Sequence, residues 1–291
     1  MNIFECRHLS KAFRRKPVLR DLSLTLPPGM VVGLLGKNGA GKTTFIKCAL
    51  GLIKPDAGDL RIFGEDVWSL SPGAKERLGY VPQEINLYPW MKVKHVVPYI
   101  ASFYQNWNPS LADDLMKRWE LPPGDRVGTL STGQLQKLAI LVALGHEPEF
   151  LVLDEPAAAL DPVARRDFLA TLLEIAADAR RTILFSTHIT SDLERVADHV
   201  AILKEGTLAY FGPLDELKDQ VKRLHITATR PFPAGVVFPN CLDHQIVGNE
   251  ARLTISTVTP EVIEALEREY GATIEVEDLN LDDIFLELHH A

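Results

Sequence analysis

Eight residues constrain this chain more than any others: Gly36-Lys37-Asn38-Gly39-Ala40-Gly41-Lys42-Thr43. Gly36 and Gly41 bracket four residues, and Lys42-Thr43 follows directly, which is the spacing of a phosphate-binding P-loop. The apolar run 30–35 before it predicts a buried strand. Residues 44–50 after it predict a helix, ended by Gly51 and Pro55. Polyphosphate is dense negative charge, so the loop must wrap it with backbone N–H groups. Gly36, Gly39 and Gly41 permit close approach and positive φ, and the first helical amides and the helix dipole favour the anion. Lys42 supplies a cation to the β- and γ-phosphates, and the Thr43 hydroxyl a ligand to Mg²⁺. A chance Gly-rich turn would need neither the strand before the loop nor the helix after it.

Three further strand ends carry chemistry. Residues 150–153 are apolar and run into Asp154-Glu155, which predicts a buried parallel strand delivering two acids to its C-terminal edge. Asp154 suits the Mg²⁺ shell. Glu155 is placed to orient or deprotonate a water. Two acids after a strand can equally be a turn plus a helix cap, but the upstream P-loop argues against that here. Residues 182–186 form the next buried strand and end at Thr187-His188, where a histidine can sense a γ-phosphate. Residues 78–83 are a short strand closing on Pro82 and the amide of Gln83. Ser131 and Gly133 open an apolar helix over 135–144 and offer a second anion cradle.

Between these points, residues 3–7 and 22–26 read as strands. The polar, basic segment 10–16 connects them. Its one aromatic, Phe13, is either a nucleobase platform or a strand-edge side chain. Residues 84–146 are helical in texture and contain Trp90, Trp107 and Trp119, so they read as an insertion into the core. An amphipathic helix is expected from Val163 to Ala179, and a hairpin over 200–210. The pattern breaks near 218–222. Beyond it, strands over 224–229, 252–256 and 272–276 and helices over 260–270 and 281–288 describe a small α+β appendage. The expected division is therefore 1–219 and 220–291.

The formal net charge of −8 disfavours a nucleic-acid partner. Cys6, Cys48 and Cys241 are scattered, which argues against a disulfide framework or a zinc site. The N-terminus does not read as a signal peptide, and no apolar run reaches the length of a membrane span.

Assembled, the chain resembles an ATP-binding cassette (ABC) ATPase over about residues 2–215. The likeness rests on the P-loop, Gln83, Leu130-Ser131-Thr132-Gly133-Gln134, Asp154-Glu155-Pro156, Ala159-Leu160-Asp161 and His188, in the family's order. The resemblance implies an α/β P-loop fold of ABC type, with a mixed core sheet, an antiparallel β subdomain and an inserted helical subdomain over about 84–146. It implies two cassettes arranged head to tail, with ATP between the P-loop of one and the signature stretch of the other. By that likeness Phe13 stacks on adenine, and Asn38, Ala40 and Thr44 complete the phosphate cradle with the glycines, Lys42 and Thr43. Gln83 attends Mg²⁺ and the attacking water. Ser131, Gly133 and Gln134 meet the second nucleotide, and Asp161 shapes the dimer interface. Glu155 is the base and His188 holds the γ-phosphate. One departure stands out: Thr132 occupies a position where the family usually has glycine.

A single cassette with a short tail and no span resembles the stand-alone ATPase subunits of bacterial exporters for drugs, antibiotics or lipids. Such a subunit works at the cytoplasmic face of the membrane with a separate transmembrane permease. Residues 87–91 sit where that partner docks in the family. The alternative is a soluble cassette ATPase acting on ribosomes or DNA. Those chains usually carry paired cassettes or a long coiled-coil interruption. A silent regulatory module is opposed by Glu155 and His188.

Overall fold

A computed structural model describes residues 2–158, 160–177, 181–233 and 235–290, the last without its side chain. Ala159 and Ala179, both named in the sequence reading, lie outside the described residues. The chain divides into two compact units, Met1–Phe211 and Gly212–Ala291.

In chain order the first unit runs β1 (Phe4–Phe13), β2 (Lys16–Leu26), β3 (Val31–Leu35), α1 (Lys42–Ala49), β4 (Ala57–Ile62), β5 (Glu65–Asp66), α2 (Pro72–Glu76) and β6 (Leu78–Val81). It continues through α3 (Val93–Ala101), α4 (Pro109–Arg118), a 3₁₀ turn Val127–Thr129 and α5 (Thr132–Leu144). It closes with β7 (Phe150–Leu153), α6 (Pro162–Ala176), β8 (Thr182–Thr187), α7 (Thr190–Val196), β9 (His199–Lys204) and β10 (Thr207–Pro213), the last two residues of which are counted with the second unit. The antiparallel sheet has the order β2-β1-β4-β5, and the central sheet the order β10-β9-β3-β8-β7-β6.

The segment 10–16, expected to be a connector, is instead the tip of a hairpin. Phe13 pairs with Lys16, and Arg14 and Arg15 take φ of 47° and 69°. That is the backbone of a tight twist-matched turn, normally announced by Asn-Gly. Two arginines give no such signal, so the strand looked shorter in sequence than it is.

The central sheet sets up the site through its register. β3 pairs parallel with β8 and β9, and β7 pairs parallel with β6 and β8. The partners Leu35↔Thr187, Leu153↔Phe185 and Val81↔Leu153 bring the C-terminal ends of four strands to one edge. Whatever follows those strands must meet there, as in open α/β sheets generally.

One core gathers apolar residues of the antiparallel sheet, of α1 and of one face of the central sheet. Phe4 meets Phe45 edge-on at 5.9 Å and stacks on Phe150 at 6.2 Å. On β3, alternation sends Val32 and Leu34 into this core. Gly33 belongs to the opposite face, where a Cβ would stand 2.4 Å from Leu193 of α7. The absence of a side chain there lets α7 lie close against the strand.

The second unit comprises α8 (Leu214–Gln220), β11 (Lys222–Thr227), β12 (Cys241–Val247), β13 (Glu250–Ile255), α9 (Pro260–Tyr270), β14 (Thr273–Asp278) and α10 (Leu281–His290). Its antiparallel sheet runs β12-β13-β11-β14. Leu224, Ile226, Leu253 and Ile255 alternate onto one face and form a core with Leu266 of α9. α8 falls in this unit, with Leu214 and Leu217 buried.

Candidate functional site

The P-loop residues lie between β3 and α1. Gly41 caps α1 with φ 108°, where an added Cβ would approach Leu19 Cδ2 at 2.8 Å. Only glycine fits both the angle and the space. Gly36 is closed in by the Leu203 carbonyl, 2.9 Å from where its Cβ would be. Gly39 takes φ 85° in open space, beside exposed Asn38. Ala40 is buried and its carbonyl accepts from Gly206 N at 3.1 Å, which ties the loop to the β9–β10 turn.

Lys42 is buried, with Nζ donating to the Gly36 carbonyl at 2.8 Å and standing 3.1 Å from Glu155 Oε1. The other Glu155 oxygen, Oε2, lies 2.8 Å from His188 Nδ1. The Lys42 and Glu155 side chains are only 6% and 7% exposed, whereas His188 is 45% exposed. A buried carboxylate is therefore held between a buried cation and an imidazole that reaches solvent.

Beside it, Thr43 Oγ1 donates to Asp154 Oδ1 at 3.2 Å and lies 3.5 Å from Gln83 Oε1. Asp154 is fully buried, and burial pushes its carboxyl above the ordinary carboxylate range, while bonds from Ser186 and Thr43 oppose the shift. Its Oδ2 is buried with no hydrogen-bond partner among the described residues. An orphaned buried carboxylate oxygen beside a hydroxyl and an amide oxygen is an all-oxygen donor set, and it fits a hard divalent cation.

The remaining expected residues form two other groups. Ser131 and Gln134 cap α5 reciprocally: Gln134 N donates to Ser131 Oγ at 3.2 Å, and Ser131 N to Gln134 Oε1 at 3.0 Å. Leu160 Cδ2 lies 3.7 Å from where a Gly133 Cβ would be, so the signature stretch adjoins the approach to Asp161. Asp161 Oδ1 accepts from Val163 N and Ala164 N and caps α6, and these bonds hold its carboxyl below the ordinary range. Phe13, 45% exposed, carries Lys11 Nζ 5.2 Å from its ring centre. Thr44 sits half-buried in the first turn of α1.

Ser186 belongs to none of the sequence motifs. It is wholly buried at the end of β8 and touches both acids. A serine directly after the apolar run Ile183–Phe185 of a buried strand is the signal the sequence offers.

Residues 19–158 match the family model described as "ABC transporter". A second model, described as an AAA domain, matches residues 126–191. The chain is 34% identical over 292 residues to the Nod factor export ATP-binding protein I of Burkholderia lata, covering 97% of this chain and 95% of that one. The chain belongs to the ABC transporter ATP-binding proteins. This ABC ATPase is also 32% identical to the bacitracin transport ATP-binding protein BcrA of Bacillus licheniformis, over 76% of this chain and 73% of the relative. A solved structure titled as an ATP-binding subunit of an ABC transporter superposes with a TM-score of 0.68 at 30% identity, covering 75% of this chain and 92% of that one. The ABC-type P-loop fold read from the motifs is the fold observed.

Proposed function

We propose that this ABC ATPase powers an exporter, acting at the cytoplasmic face of the membrane on a separate transmembrane partner. The observation that carries the catalytic part is the contact of the buried Glu155 carboxylate with both Lys42 and the solvent-reaching His188. The export reading draws on the names of the relatives, a Nod factor export protein among them.

In this reading Lys42 exchanges Glu155 for the terminal phosphates of ATP, which carry more charge. Glu155 is then free to take the proton of the attacking water. A bond forms from that oxygen to the γ-phosphorus, the bond to the β–γ bridging oxygen breaks, and ADP leaves with the electron pair. His188, within reach of Glu155, holds the γ-phosphate and orients the base. Thr43, Asp154 and Gln83 would hold Mg²⁺, which when bound neutralises charge on the β- and γ-oxygens. Gly36, Asn38, Gly39, Ala40, Gly41 and Thr44 cradle the phosphates, and Phe13 stacks on the base. Ser131, Gly133, Gln134 and Asp161 serve the nucleotide of a second protomer, so ATP closes the pair and hydrolysis releases it. The membrane partner would read that two-state element.

The test is a pull-down from native membranes with Glu155→Gln in Mg-ATP. Co-purification of a polytopic membrane protein is expected. Ribosomal or DNA-bound material without one would overturn the reading in favour of a soluble role.

A further inference from the structure

Glu155 is one of ten non-glycine residues with positive φ among the described residues, and it carries the candidate base. Its φ is 50°, in the left-handed region that a non-glycine residue occupies only at a cost. Something must hold it there, and the adjacent hydrogen bonds identify what does. Glu155 N donates to Ser186 Oγ at 2.8 Å. An amide can only donate, so the serine oxygen is the acceptor and its single proton is left for another group. That proton goes to Asp154 Oδ1, 2.7 Å away. With Asp154 ionised, as a cation ligand must be, the direction of the chain is set: Glu155 N–H to Ser186 Oγ–H to Asp154 Oδ1.

This relay does two things. It anchors the left-handed turn that aims the Glu155 carboxylate back at Lys42 and His188. It also occupies Asp154 Oδ1, together with Thr43, so that Oδ2 is the oxygen left without a partner. Ser186 reaches both acids because β7 and β8 pair in parallel with Leu153 opposite Phe185, one residue before each group. Its own side chain has no solvent exposure, so bulk water does not compete for its two hydrogen bonds.

We infer that Ser186 is a positioning residue for hydrolysis: its hydroxyl fixes the Glu155 base and chooses the free oxygen of Asp154. The inference rests on the proposed role of Glu155, and its effect is on turnover rather than on nucleotide capture. Lys42 and the P-loop glycines make no hydrogen bond to Ser186 in the structure.

The test compares wild type, Ser186→Ala and Ser186→Thr as full-length proteins. Steady-state ATPase is measured with kcat and KM separated, binding of a fluorescent ATP analogue is measured directly, and crystal structures are solved for wild type and Ser186→Ala. Ser186→Ala is expected to lose about tenfold or more in kcat, with KM and analogue affinity within about threefold, because the lost interaction acts on the transition state. Ser186→Thr, which keeps the hydroxyl, is expected to recover most of that loss. In the Ser186→Ala crystal, Glu155 is expected to leave the left-handed region or lose its contact with Lys42. An unchanged kcat, or a loss that threonine does not restore, would overturn the inference. So would a Ser186→Ala crystal with Glu155 still at its present φ and contacts, whatever the turnover. Failure of the underlying reading looks different: wild type and Glu155→Gln would hydrolyse ATP equally.

Discussion

Lys42 Nζ stands 3.1 Å from Glu155 Oε1, with both side chains almost sealed from solvent. The pair joins the P-loop helix to the end of β7, and each partner neutralises the other's buried charge. Replacing Lys42 with Met removes the cation offered to phosphate and leaves the carboxylate with His188 alone. Affinity for a fluorescent ATP analogue is expected to fall at least about tenfold, in line with the loss of one charge-assisted contact. Retained affinity would show that Lys42 does not face the nucleotide.

Gly41→Ala is expected to damage the loop itself. An alanine at φ 108° is strained by about 1–2 kcal/mol, and its Cβ would crowd Leu19. The protein should remain folded, with a slightly lower midpoint in thermal unfolding and sharply weaker ATP binding. Normal binding by a folded Gly41→Ala variant would contradict the geometry.

Arg165 and Asp192 join the first turns of α6 and α7, with Nη2 2.6 Å and Nε 2.7 Å from Asp192 Oδ1. Asp192 is 5% exposed and Arg165 27%, so the pair is partly screened. Asp192→Asn should cost roughly 2–3 kcal/mol, below the range for a fully buried pair. Denaturant unfolding of Arg165→Met, Asp192→Asn and the double variant measures it. Additive effects would mean that the two side chains do not interact.

His146 is buried, with Nε2 3.2 Å from the Leu78 carbonyl and its ring stacked on Tyr104 at 4.0 Å. Burial lowers its pKa from 6.5, so the folded protein refuses a proton that the unfolded chain accepts. Stability should therefore fall as pH drops below about 6.5, by up to about 1.4 kcal/mol per pH unit, until the lowered folded pKa is passed. His146→Gln should flatten that part of the profile. An unchanged slope would assign the acid sensitivity to other groups.

Thr132 is the first residue of α5 after its Ser131 cap. With the capping box intact, Thr132→Gly is expected to change turnover by less than about tenfold. A gain of several orders of magnitude would mean that the natural threonine disables the signature stretch.

The motifs make most of the candidate site's geometry legible, because each follows a buried strand and the strands are parallel. The left-handed turn at Glu155 is not legible, since no glycine or asparagine stands there to mark its positive φ. The bond from Ser186 was hidden for a related reason: it depends on β7 and β8 being neighbours. The hairpin at Arg14-Arg15 lacked its usual glycine. β12 was missed because Cys241–Val247 buries its side chains only partly and without clean alternation. The short helices α2, α7 and α8 have five to seven residues, too few for a helical period to show.

The most direct test is phosphate release by purified wild type and Glu155→Gln, with binding of a fluorescent ATP analogue measured on the same preparations. Glu155→Gln is expected to bind at least as tightly and to hydrolyse at least about a hundredfold more slowly, the loss appropriate to a missing general base. Equal hydrolysis by the two proteins, or wild type that binds no ATP, would contradict the assignment of this site.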